Sequence, residues 1–179
     1  MSNLWALCWA LPLIYRSFCA YVLSFPFPAV RAVLAERGDN PALASSTATQ
    51  LQQALDAGAN SPLPAIMTAL ARPTRIVRGK PVDPSCRADA ALFEHTEEHK
   101  LFDAYQTTAQ QLQQQQGRSH SVEQWLAAVQ PLVAPIDAFF DKVFVMCEDE
   151  KVRNNRLALL RDVAGVTKGF VDLSQLPGF

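Results

Sequence analysis

The chain has 179 residues, of which 49% are apolar and 18% are charged, and its formal net charge at pH 7 is −1. This length suits one globular domain with or without a short appendage, and the apolar share is too high for a disordered protein. The small net charge excludes a protein that coats nucleic acid by bulk charge alone, although it allows a local basic patch. The four cysteines lie at least 11 residues apart, which favours reduced thiols in a cytoplasmic protein over a metal clip or a disulfide framework.

Residues 1–26 form an apolar segment that we treat separately. The run from Leu4 to Tyr15 is apolar or Pro at all 12 positions, fewer than the ~20 residues that a membrane-spanning helix needs. No Lys or Arg precedes the run, as a secretory signal would require, and a span from Leu4 to Phe27 would bury Arg16 near its middle. We therefore expect a buried or poorly ordered helix, not a membrane anchor, followed by a helical domain over residues 27–179.

From residue 27 onwards, apolar residues recur at helical spacing between stretches rich in Gly, Asn and Pro. Seven groups of apolar residues follow this pattern: Phe27, Val30, Val33 and Leu34; Leu43, Leu51 and Leu55; Leu63, Ile66, Met67 and Leu70; Leu101, Tyr105 and Leu112; Trp125, Leu126 and Val129; Ile136, Phe139, Phe140 and Val143; and Val152, Leu159, Leu160 and Val163. We expect Pro73 to kink or end the third helix, and Ser121 with Gln124 to form a capping box before the fifth. The fold class is therefore all-α, a bundle of about six or seven helices.

Positive charge is concentrated at the end of the third predicted helix. Arg72, Arg75, Arg78 and Lys80 fall within nine residues, and no acid occurs between Ala57 and Val82. Such clustering is what an anionic partner would need. The alternative is a solvated helix end, where cations complement the helix macrodipole.

One short pattern suggests metal chemistry. His95, Glu98 and His99 spell HxxEH, the arrangement of inverted zinc peptidases, and two imidazoles at i and i+4 share a helical face. A zinc site would need a third protein ligand, and nothing downstream provides an obvious one. We therefore favour an exposed first helical turn and expect neither a metal site nor a catalytic residue in this chain.

The strongest local feature lies between Pro135 and Leu160. Its second half carries Arg153, Asn155 and Arg156, which have the side chains that contact phosphates and base edges in nucleic-acid complexes. The alternative is that the two arginines satisfy the acidic residues upstream and lock two helices together. We expect the double-phenylalanine helix and the arginine-bearing helix that follows to pack together.

This stretch resembles the C-terminal anticodon-binding region of the bacterial glycyl-tRNA synthetase β subunit, and looser similarity extends over residues 27–179. The matching residues are Phe139, Phe140, Asp141, Val143, Val145, Met146, Asp149, Arg153, Asn155, Arg156 and Leu157 to Leu160. The resemblance implies an all-α, DALR-like anticodon-binding fold. A related fold occurs in arginyl-tRNA synthetases, so the fold alone would not settle the amino acid.

The resemblance implies the tRNA-binding part of an α2β2 ligase that attaches glycine to tRNA-Gly. The α subunit would hold the class II catalytic site and use ATP and Mg, so this chain would need no cofactor of its own. We expect a truncated part of a longer β subunit that binds tRNA-Gly and the α subunit, binds no DNA, and lies in the cytoplasm. The alternative is an orphan helical interaction module, associated with a membrane through residues 4–27. The candidate tRNA-binding residues are Arg72, Arg75, Arg78, Lys80, Arg153, Asn155 and Arg156.

Overall fold

The computed structural model describes residues 27–78, 80, 86–114 and 121–179. Within these ranges the chain folds into seven α-helices: α1 (Phe27–Arg37), α2 (Pro41–Asp56), α3 (Leu63–Arg78), α4 (Thr96–Gln114), α5 (Val122–Val129), α6 (Val133–Lys142) and α7 (Glu150–Ala164). No β-strand occurs among the described residues. The all-α prediction is confirmed, and the helices begin and end close to the Gly, Asn and Pro positions that predicted their limits.

Side-chain caps define where three of the helices start. The Asn40 side chain accepts a hydrogen bond from the Leu43 N–H at 3.1 Å and begins α2. Ser121 and Gln124 form the predicted capping box of α5, and the Asp149 side chain accepts from two N–H groups at the start of α7. Each cap satisfies backbone donors that have no partner inside the helix.

Pro73 was expected to kink or end α3. The helix does not end there but continues through Pro73 to Arg78. Proline removes one backbone hydrogen bond and crowds the preceding turn. Here the Pro73 ring is buried, and α3 packs extensively against α6 and α7, so tertiary packing outweighs the local penalty. The Thr74 hydroxyl also donates to the Leu70 carbonyl at 2.8 Å, within the turn that precedes it.

Helix α3 lies at the centre of the described domain. It packs most extensively against α7 and α6, while α1 packs on α2 and on the turn at Leu173–Gln175. Helices α6 and α7 are not among the principal contacting pairs, so the double-phenylalanine and arginine-bearing helices are joined mainly through α3 and not through each other. Leu63, Ile66 and Leu70 line the buried face of α3 and join a core that also contains Trp125 and Phe139.

No helix in the described ranges is long and apolar enough to cross a membrane. Residues 1–26, for which we expected a buried or poorly ordered helix, lie outside the described residues. So do residues 4–26 of the segment on which the membrane-associated alternative rests, and only its last residue, Phe27, is described.

Candidate nucleic-acid interface

The exposed face of α3 carries the cluster of cations that the sequence predicted. Arg72, Arg75 and Arg78 follow one another at i+3 spacing and are exposed, and Lys80 is exposed just beyond the helix. We call these four residues the basic face. Because a helix rises 1.5 Å per residue, its three arginines extend over about 9 Å along the helix axis. The opposite face of α3 is buried in the core, so the helix holds these side chains towards solvent.

Arg72 is oriented by an aromatic neighbour on α6. Its guanidinium carbon lies 4.9 Å from the centroid of the Phe140 ring, which is a cation–π contact. A guanidinium that stacks on an aromatic face keeps N–H donors with which it can bind a phosphate. Arg72 is therefore held in position while it remains exposed.

The positive charge of Arg78, in the basic face, acts on a carboxylate of the C-terminal segment. Burial raises the pKa of Asp172, but hydrogen bonds from Ser174 and Gln175, together with the positive charge of Arg78, outweigh burial and hold that pKa below its ordinary value. The Asp172 N–H donates to the Ala32 carbonyl at 2.8 Å, which attaches this segment to α1. Arg78 therefore stabilises an ionised carboxylate of the C-terminal turn.

Arg156 occupies a buried electrostatic cluster that joins three parts of the chain. Its Nε donates to Glu98 Oε1 at 2.8 Å, and its Nη2 donates to Glu94 Oε2, also at 2.8 Å. Its Nη1 donates to the Phe144 carbonyl at 3.2 Å. The Arg156 side chain is 2% exposed and that of Glu98 is fully buried. Arg156 therefore fixes α7 to the start of α4 and to the α6–α7 loop.

Asn155 and Arg153 also make internal contacts. The Asn155 amide accepts from the Asp89 N–H at 2.7 Å and donates to the Asp89 carbonyl at 2.9 Å, so it pairs with both backbone groups of one residue. Arg153 is partly buried and donates to the Cys147 carbonyl at 3.0 Å and to the Glu148 carbonyl at 3.4 Å. These contacts hold the segment before α4 and the α6–α7 loop against α7.

The seven candidate tRNA-binding residues thus fall into two groups. The basic face is exposed, whereas Arg153, Asn155 and Arg156 are wholly or partly buried and bonded to the protein. The alternative drawn from the sequence was that Arg153 and Arg156 bind nearby acids and hold two helices together. Both arginines do hold helices and loops together, but Arg156 pairs with acids about 60 residues earlier in the chain and not with those just upstream. RNA contact by this second group stays a prediction, and the geometry favours a positioning role.

The HxxEH pattern has a structural use. Glu98 accepts hydrogen bonds from the Glu94 and His95 N–H groups at 2.9 and 2.8 Å and is paired with Arg156. The His99 ring packs edge-on against Phe93. In the described part of the chain no three His, Cys, Asp or Glu side chains come together as a metal site would require. The Glu98 carboxylate therefore accepts backbone hydrogen bonds at the start of α4 and forms an ion pair with Arg156.

The same contacts predict a pH dependence of stability. Burial raises the pKa of Glu98, but hydrogen bonds from Arg156 and from two backbone N–H groups outweigh burial and lower that pKa below its ordinary value. A carboxyl with a lowered pKa in the folded state stabilises the fold above its unfolded-state pKa of about 4.3, and this contribution is lost as the pH falls through the folded-state value. We expect the free energy of unfolding, measured in urea from pH 7 to pH 3, to fall below pH ~4.3.

Glu98→Gln is the matched variant for this measurement. It keeps the shape of the side chain but does not titrate, so its stability should fall less steeply in the acid range, by up to about 1.4 kcal/mol per pH unit. Identical pH profiles for the two proteins would show that Glu98 does not contribute in this way.

Comparison with known proteins identifies the fold. The DALR anticodon binding domain family matches residues 66–173, a range that includes the basic face and the Arg156 cluster. The chain belongs to this family. The DALR match runs from α3 to the C-terminal turn that holds Asp172, so both groups of candidate residues lie inside it.

Individual relatives agree with this assignment. The chain is 43% identical over 150 residues to a protein of Arabidopsis thaliana named glycine–tRNA ligase, chloroplastic/mitochondrial 2. It is 41% identical over 85 residues to the glycine–tRNA ligase β subunit of Bacillus subtilis, and 32% identical over 155 residues to that of Geotalea daltonii. These matches cover 84%, 48% and 85% of this chain, but only 13%, 12% and 21% of the three relatives. The predicted resemblance to the β subunit is confirmed.

Sequence reasoning missed two groups of residues at this site. Glu94, Glu98 and Asp89 are the partners of Arg156 and Asn155, and their distance along the chain gave no signal of the pairing. Phe144 is the most exposed large apolar residue in the described part of the chain, at 73%. Its place between two valines is compatible with an alternating pattern, which was a weak signal that it points away from the core.

Proposed function

We propose that this DALR domain binds the anticodon arm of a tRNA through the basic face of α3. The observation that carries the proposal is that three exposed arginines at the end of α3 and an exposed lysine just beyond it have no acid among them, in a domain of an anticodon-binding family. Arg72 also contacts Phe140 on α6, while the core-facing side of α3 fixes the backbone from which all three arginines project.

Charge on this face suits the chemistry of a tRNA anticodon arm. The phosphates of the arm are fixed anions, and guanidinium groups can bind them with two parallel hydrogen bonds. Sequence-specific RNA recognition targets unpaired loops, whose bases can be splayed out towards the protein. The local excess of positive charge can steer such a loop, even though the whole chain carries a net charge of −1.

We further propose that the RNA is tRNA-Gly and that the domain serves a glycine–tRNA ligase. The names of the three relatives support this choice. In such an enzyme the α subunit would join glycine to tRNA with ATP and Mg, and this domain would hold the anticodon arm in an α2β2 assembly in the cytoplasm. In this proposal the domain supplies binding energy and orientation, while bond formation takes place on another polypeptide.

Charge reversal on the basic face tests the proposal. We expect Arg75→Glu combined with Lys80→Glu to weaken binding of a tRNA-Gly anticodon stem–loop by about tenfold or more, because two phosphate contacts become repulsive. The slope of log K against log salt should also become shallower by about 1.4 to 1.8, since each of the two phosphate contacts contributes roughly 0.7 to 0.9. Fluorescence anisotropy with labelled RNA at several salt concentrations measures both quantities.

The matched control is Lys100→Glu combined with Lys168→Glu. Both lysines are exposed and lie outside α3, so the change in net charge is identical while the basic face stays intact. This control should bind with nearly the affinity and salt slope of the wild-type chain. If the wild-type chain does not bind the stem–loop at low salt, or if both double variants lose affinity equally, the proposed RNA surface is wrong.

A further inference from the structure

Phe144 is an exposed aromatic side chain that the core does not explain. It lies in the loop between α6 and α7 with 73% of its surface exposed, and Met146 in the same loop is 39% exposed. Exposing a phenylalanine ring to water forgoes the free energy gained when apolar surface is buried.

The backbone that carries this ring is held in place. Val143 and Val145, on either side of Phe144, are only 5% and 6% exposed and anchor the loop in the core. The Phe144 carbonyl accepts a hydrogen bond from the buried Arg156 guanidinium at 3.2 Å. Phe144 is therefore presented to solvent by a fixed backbone, and binding a partner would order little more than the side chain itself.

The loop that carries the ring follows directly on the helix that contacts the basic face. Arg72 lies against Phe140 on α6, and the Cα atom of Phe144, four residues later, is at most about 14 Å from that of Phe140. On the other side of the loop, Glu148, Asp149 and Glu150 are exposed carboxylates. Phosphates are attracted by α3 and repelled by these acids, whereas an uncharged base can lie next to them.

We propose that Phe144 stacks on one unpaired base of the RNA strand whose phosphates lie on the basic face. This inference rests on the proposed function and adds a residue to it. Aromatic side chains stack on unpaired RNA bases, and stacking tolerates any base because every base has a flat face. Phe144 therefore gives the surface a preference for a single-stranded loop over a duplex, and it does not choose the sequence.

Three substitutions separate stacking from other uses of the ring. We expect Phe144→Ala and Phe144→Leu each to weaken binding of the tRNA-Gly anticodon stem–loop by about fivefold or more, and Phe144→Trp to retain it. The three variants should bind a fully paired RNA of the same length with the same affinity as the wild-type chain. The slope of log K against log salt should also be unchanged, because no charge is altered. With 2-aminopurine placed in turn at each loop position, one position should lose fluorescence on binding the wild-type chain but not Phe144→Ala.

The outcomes distinguish this proposal from the one on which it rests. If Arg75→Glu with Lys80→Glu abolishes binding while Phe144→Ala binds like the wild-type chain, stacking is wrong and the RNA surface stands. If Phe144→Leu binds normally and only Phe144→Ala is weak, the ring acts as general apolar surface, such as a protein partner would use, and stacking is again wrong. If the wild-type chain binds no RNA, both proposals fail.

Discussion

Arg156→Met is expected to destabilise the domain by about 3–5 kcal/mol, measured as the free energy of unfolding in urea at pH 7. The substitution leaves the fully buried carboxylate of Glu98 without its cation, and an uncompensated buried charge costs this much in other proteins. It also removes the donor of the Phe144 carbonyl and so loosens the α6–α7 loop.

Two further variants make this prediction sharper. Arg153→Met is the matched control, since Arg153 lies on the same helix but bonds only to carbonyl groups near the surface, and we expect a cost of about 1 kcal/mol. Adding Glu98→Gln to Arg156→Met should recover part of the lost stability, because the buried charge is then removed. An effect of Arg156→Met no larger than that of Arg153→Met would contradict the assigned role, and if the single variant does not fold, recovery of folding in the double variant tests it instead.

The local pattern of the sequence was sufficient to predict most of the helices. Periodic apolar residues place the buried face of α3, and the same periodicity places Arg72, Arg75 and Arg78 on its exposed face. The Ser121 capping box is equally local, since both partners lie within one helical turn. These features depend only on neighbours a few residues away, and the sequence contains those neighbours.

The roles of Arg156 and Asn155 could not be predicted in the same way. Their residue types suit RNA contact and buried ion pairs equally well, and the choice depends on partners 58 and 66 residues away in the chain. Glu98 is part of the HxxEH pattern, whose local spacing suggested zinc although the tertiary structure uses the carboxylate as a cap and counter-ion. Pro73 shows the same limit, since local sterics predicted that the helix would kink or end there, and the packing of α3 allows it to continue to Arg78.

Trp125→Ala is expected to cost about 3–5 kcal/mol in the same urea measurement. Trp125 is 1% exposed, and its ring stacks on Phe170 at 5.0 Å between centroids with planes 8° apart. The guanidinium of Arg37 lies 4.1 Å from the Phe170 centroid. Truncation therefore removes a large buried ring and leaves a cavity at the junction of α1, α5 and the C-terminal segment.

Trp125→Phe separates the ring from its polar edge. The indole N–H donates to the Val166 carbonyl at 3.4 Å, and phenylalanine would lose this bond but keep most of the stacking on Phe170. We expect less than half the cost of the alanine variant, with a far-ultraviolet circular dichroism spectrum close to that of the wild-type chain. Because Arg37 also donates to the Gly169 carbonyl and the Thr47 hydroxyl, hydrogen exchange in α1 should accelerate in Trp125→Ala more than exchange in α4. Equal acceleration in both helices would show that the aromatic stack does not specifically hold α1 against the C-terminal segment.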